Sequence, residues 1–97
     1  MRPVLSPEVR IELDEIWEYT AIRSSSLEIA DRLVDMITQH FSLIARHPGI
    51  GRQRDDLRPG YRSFVVGQYV ILYRARESRV EIMHVIHGRR DLEALFE

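Results

Sequence analysis

The sequence predicts an α+β fold: a short N-terminal strand and an antiparallel helical hairpin packed on a three- to four-stranded, mostly antiparallel sheet, with a short C-terminal helical tail. Three observations predict it. Apolar residues recur at helical spacing through most of the first half. A polar, turn-rich stretch, GIGRQRDDLRPG, follows at 49–60. Three strand-like runs separated by two-residue gaps then occupy 61–87. The 97 residues suit one domain, 1–97, which on general scaling buries roughly 60–70% of its unfolded surface without metal or disulfide.

Val4-Leu5 is a short apolar segment behind Pro3, an imino acid that edge strands tolerate. Ser6-Pro7 supplies an N-cap and a proline at the first helical position, where the missing N–H has no partner to lose. Val9, Leu13, Ile16, Trp17 and Thr20 make an apolar stripe, with Glu8, Glu12, Asp14, Glu15 and Glu18 on the other faces, so a first helix is expected over about 7–22. Ser24-Ser25-Ser26 breaks it, and Ser25 with Glu28 matches a capping box for a second helix. Ala30, Leu33, Val34, Ile37, Phe41 and Ile44 form that helix's stripe, flanked by Ile29, Met36 and Leu43. His47-Pro48-Gly49 ends it, because the residue before proline is pushed out of the helical region.

The three strands are expected at Tyr61–Val66, Tyr69–Arg76 and Arg79–His87, joined at Gly67-Gln68 and Glu77-Ser78 as a meander. Both alternation phases of Tyr69–Tyr73 are apolar, which places that strand centrally, covered on both faces. Leu92, Leu95 and Phe96 suit a helical turn or tail folding back on the core.

Composition removes several functions. There is no cysteine, hence no thiol nucleophile, disulfide or Cys-ligated zinc, which fits a reducing cytosolic setting. No apolar stretch is long enough to cross a bilayer, and MRPVLSPEV lacks the apolar core of a signal peptide, so a soluble, cytoplasmic protein is expected. Every basic residue is arginine, which excludes lysine-based chemistry. The formal net charge of −1 hides an asymmetry, with acids in excess in residues 1–48 and arginines in excess in 49–97.

His40, His47, His84 and His87 have no metal-ligand spacing: three residues apart, His84 and His87 fall on opposite sides of a regular strand. No metal or other cofactor is expected. The arginines of the second half admit two readings. Brought together by the sheet, they would meet phosphate or an acidic protein; scattered, they pair with Asp55, Asp56, Glu81 and Asp91. Spacing does not separate these. HGRRD at 87–91 is likewise either a strand-ending turn or a histidine acid/base beside phosphate-binding arginines.

The segments LSPEVRIELDEIWEY, IARHPGIGR, LRPGYRSFVVGQYVILYR and VEIMHVIHGRRDLEALF together resemble the toxins of ParE-type toxin–antitoxin systems, within the RelE/ParE superfamily. The resemblance spans essentially the whole chain. It implies a helical hairpin on a mostly antiparallel sheet, and a ParD-like antitoxin whose C-terminal segment wraps helices and sheet. It also implies inhibition of DNA gyrase by trapping of its cleaved-DNA intermediate, without catalysis, membrane attachment or direct contact with nucleic acid.

Under that resemblance the target-binding candidates are Arg62, Arg74, His87, Arg89 and Arg90, and the antitoxin-binding candidates Ile16, Trp17, Val34 and Phe41. The RelE branch implies the alternative, ribosome-dependent cleavage of messenger RNA by basic residues, a general acid/base and often a C-terminal aromatic. Arg62, Arg74 and His87 could lie close on the sheet, which keeps that chemistry open. Glycine follows His87 where one ribonuclease variant has tyrosine, and no lysine is present.

Overall fold

The computed structural model describes residues 1–88 and 91–95. Its order is β1 (Arg2–Leu5), α1 (Pro7–Ser24), α2 (Leu27–Arg46), β2 (Arg52–Gln53), β3 (Arg62–Val66), β4 (Tyr69–Arg76), β5 (Arg79–His87) and α3 (Leu92–Leu95). The five strands form one sheet in the order β1-β5-β4-β3-β2. β1 runs parallel to β5, and every other pairing is antiparallel.

Ser6 caps α1 as expected: its Oγ accepts the Val9 N–H and donates to Met83 O at 2.8 Å. Its own N–H reaches Ile82 O at 3.0 Å, so one residue starts the helix and pins that start to β5. Arg2 also donates to the β5 side, at Ser78 O. Even-numbered positions of β1 thus face β5, and Pro3 falls on the outer side, where it withholds the N–H a further strand would use.

The helical turn differs from expectation by one residue. Ser25 adopts a left-handed conformation (φ 54°) that ends α1, and Ser26 caps α2 through the Ile29 N–H at 3.1 Å. The capping box with Glu28 is not formed; Glu28 instead pairs with Arg32 one turn on. The sheet exceeds the expected three to four strands by β2, two residues of the turn-rich stretch paired with Ser63 and Arg62.

β4 is central and covered on both faces, with Ile71, Leu72 and Tyr73 fully buried. Val9 and Ile16 of α1 and Ile37, Phe41 and Ile44 of α2 pack on Val66, Ile71, Tyr73, Val80, Ile82 and Val85. The opposite face carries Tyr61, Val70, Leu72 and Ile86, covered by Leu57, Met83, Leu92 and Leu95. The C-terminal tail therefore folds back through Leu92 and Leu95, while Phe96 lies outside the described residues.

Ile82 and Val85 both meet the helices although three residues apart, which strict alternation forbids. A register shift permits it: Tyr73 pairs with Ile82 and Leu72 with His84, leaving Met83 as the extra residue of a bulge. No helix among the described residues is long and apolar enough to cross a membrane.

Candidate functional site

β5 outruns its neighbour. β1 pairs only with residues 79–82, so the outer edge of β5 from Met83 onward lacks a strand. Glu12 of α1 fills part of that edge, accepting the Val85 N–H at 2.9 Å and meeting His84 Nδ1 at 2.8 Å. His84, expected on the far side from His87, is turned toward α1 beside the bulge. Both groups are half-buried, and the pair closes the α1–β5 seam.

Beyond this cap a cleft of about 540 Å³ opens between α1, the end of the sheet and α3, lined among others by Glu15, Tyr19, Tyr69, His87, Asp91 and Leu95. His87 stands opposite Tyr69 in the β4–β5 ladder, their rings edge-on at 6.0 Å. A second cleft adjoins it, sharing Tyr19 and Tyr69 and running to Arg23, Leu33 and Gly67. Arg23 lies over the Tyr19 ring, 5.7 Å from its centre. No group of acidic and histidine residues able to hold a metal is formed among the described residues.

Arg62 and Arg74 do not join His87. Arg62 lies opposite Tyr73, four positions from Tyr69 and hence roughly 14 Å along the sheet from His87. Arg74 follows Tyr73 on the opposite face. Each already has structural partners: Arg62 donates to Gly51 O at 2.8 Å, and Arg74 Nε to Glu81 Oε1 at 2.6 Å. Arg62, Arg74 and His87 are therefore not brought together in one site. Arg89 and Arg90 lie outside the described residues.

Arg62 and Tyr73 together explain the HPGIG segment. The Tyr73 hydroxyl, fully buried, donates to Pro48 O and accepts the Gly51 N–H, each at 2.8 Å. A Cβ on Gly51 would lie 2.6 Å from that hydroxyl and 2.9 Å from Ser63 O, so only glycine lets the loop approach. Burial pushes the Tyr73 phenol above its ordinary range, against the opposing effects of the Gly51 N–H and the Arg62 charge.

Glu81 gathers three arginines: Arg74, Arg79 at 3.2 Å and Arg76 at 3.7 Å. The hydrogen bond from Arg74, aided by the charges of all three, holds its carboxyl below the usual glutamate range despite desolvation. Asp56 pairs with Arg54, whereas Asp55 accepts the Gly60 N–H at 2.8 Å. Arg54 is thus paired with Asp56, and Arg74, Arg76 and Arg79 with Glu81.

On the hairpin, Ile16 and Phe41 belong to the core and offer no surface to a partner. That corrects their assignment to antitoxin binding, since both point at the sheet. Trp17 and Val34 are half-buried, and Trp17 Nε1 donates to Asp31 Oδ1 at 2.8 Å, tying α1 to α2. The exposed apolar residues are Ile11, Tyr19, Ile22, Leu27, Ile29 and Met36. Ile29 and Met36 flank the α2 stripe in the sequence, and Ile11 and Ile22 lie off the α1 stripe; those positions were the available signal.

Residues 4–92 match the family model described as the ParE toxin of type II toxin-antitoxin system, parDE. The chain is 38% identical over 95 residues to Toxin ParE1 of Caulobacter vibrioides, covering 97% of each. It is 32% identical over 93 residues to Toxin ParE1 of Mycobacterium tuberculosis, covering 95% of this chain and 94% of that one. In fold it matches a chain from the chromosomal ParDE TA system from P. aeruginosa with a TM-score of 0.79 and 17% identity, over 90% of this chain and 95% of that one.

Proposed function

The chain belongs to the ParE toxin family of type II toxin–antitoxin systems, and from that membership we propose that it acts in the cytoplasm by binding DNA gyrase and holding its cleaved-DNA intermediate, and that a ParD-like antitoxin neutralises it. The observation that carries a binding mechanism over ribonuclease chemistry is the separation of Arg62, Arg74 and His87. Proton transfer and phosphate stabilisation need groups within hydrogen-bond reach of one scissile bond. Here Arg62 secures a loop, Arg74 neutralises Glu81, and His87 stands at the far end of the sheet.

The antitoxin's share of the proposal rests on the outer surface of the helical hairpin. Exposed Leu27 and half-buried Val34 share the flank of α2 that also carries Asp31, to which half-buried Trp17 of α1 donates, whereas Ile29 and Met36 lie on the other flank. An amphipathic segment laid against α1 and α2 would cover Trp17, Leu27 and Val34. Helix-in-groove recognition of this kind needs no movement of Ile16 or Phe41.

Induction in growing cells tests both halves. Growth should stop, chromosomal breaks should accumulate with transcripts left intact, and co-expression of the antitoxin should restore growth. Discrete cuts within translated messages, without DNA breaks, would overturn the binding mechanism.

A further inference from the structure

The β4–β5 hairpin end carries an arginine patch on the face turned away from the helices. Val80 and Ile82 point into the helix-side core, so Arg79 and Glu81 face the other way, as do their register partners. Arg76 stands opposite Arg79 in β4, and Arg2 opposite Arg79 in β1. Three guanidinium-bearing positions thus lie in one row across three strands, a span of about 10 Å at ordinary strand spacing. Arg74 and Glu81 form the next row.

Like charges in directly opposed positions are unfavourable, and Glu81 is the carboxylate that pairs with Arg74, Arg76 and Arg79, while Glu77 stands exposed in the turn between Arg76 and Arg79. The Glu81 side chain is only 17% exposed, whereas those of Arg76 and Arg79 remain 58% and 55% exposed around it. Three arginines share Glu81, and Arg2, also exposed, stands in the row opposite Arg79. With four arginines against Glu81 and Glu77, the hairpin end is net positive.

We propose that this patch is a docking surface for the phosphodiester backbone of duplex DNA. Planar guanidinium forks suit phosphate oxygens, and such contacts need no pocket. An acidic peptide would need side-chain pockets for its anchors. Clefts among the described residues open around Tyr19, Tyr69 and Gly88, at the other end of the sheet. Single strands are held largely by stacking on aromatic side chains, and no aromatic residue stands in the two rows, whose remaining member is Val4. The acids of α1 lie on the opposite layer, so the molecule presents a positive side to a polyanion although its net charge is −1.

This alters the expectation that the chain meets only proteins, and it stands apart from the gyrase reading because its test contains no gyrase. Purified toxin is titrated into a labelled duplex of about 20 base pairs, read by fluorescence anisotropy, between about 50 and about 200 mM salt. Saturable binding is expected, with a log–log salt slope of about −3 for three phosphate contacts. The double variant Arg76→Ala/Arg79→Ala, melting like the parent, should bind at least tenfold more weakly with a slope shallower by about 2. Arg32→Ala, a helix-layer charge removal, should change nothing. Absence of binding at the lowest salt, equal weakening by Arg32→Ala, tighter binding of the single strand, or displacement of the duplex by a glutamate-rich peptide at equal charge would each overturn the proposal.

Discussion

Tyr73 joins the helix-side core to the loop that follows α2. Its ring lies in the helix-side core while its hydroxyl bonds both ends of the Pro48–Gly51 loop. Tyr73→Phe leaves the Gly51 N–H without this partner in a buried setting and should cost about 1–3 kcal/mol in denaturant unfolding. The phenol's folded pKa is raised, so its contribution is complete below about pH 10 and is lost as pH rises toward the folded value. The parent should therefore lose stability in alkali more steeply than Tyr73→Phe. Gly51→Ala, with its Cβ 2.6 Å from the same hydroxyl, should cost a further kind of strain, about 1–3 kcal/mol. HPGIG and YVILYR were both legible as motif pieces; that they are each other's partners was not, because a 22-residue separation leaves no local signal.

Elements were read more accurately than their joints. The two long strands, Tyr69–Arg76 and Arg79–His87, fall where alternation and two-residue turns placed them, since period-2 burial fixes register strongly. The errors sit where single residues decide: Ser26 rather than Ser25 caps α2, and β2 forms within a segment whose composition gives only turns. The bulge at Met83 was invisible for the same reason, and with it the union of His84 and Glu12. Glu12→Ala should uncap the β5 edge, costing about 1–3 kcal/mol, with faster hydrogen exchange at the Val85 amide as its signature. Glu81 works at the other end of β5. Its depressed carboxyl stabilises the fold above the ordinary glutamate range, about 4.3, and that contribution disappears as pH falls through the folded value. Glu81→Gln should accordingly show a shallower acid-side loss than the parent. If the ParD-like segment covers the hairpin, its binding should slow exchange in α1 and α2 and shift Trp17 fluorescence; no change in either would move that interface elsewhere.

At the scale of the whole molecule, charge and surface separate where the sequence mixes them. The first half of the sequence is acidic in balance and the second half basic, yet only the register of β1, β4 and β5 gathers Arg2, Arg74, Arg76 and Arg79 while isolating Arg62. The same folding that assembles the patch takes Arg62 and Arg74 out of any shared site with His87. Stripe positions such as Ile16 and Phe41 were correctly read as apolar-face residues, but a stripe alone does not distinguish the side that meets the sheet from the rim that meets a partner. The motifs LSPEVRIELDEIWEY, IARHPGIGR, LRPGYRSFVVGQYVILYR and VEIMHVIHGRRDLEALF made the family legible in the sequence. The most direct measurement adds purified toxin to gyrase, supercoiled plasmid and ATP, and follows linear DNA after denaturation of the enzyme. Linear plasmid should accumulate with toxin dose and be suppressed by antitoxin. Undiminished supercoiling with no linear product at any dose would contradict the gyrase mechanism.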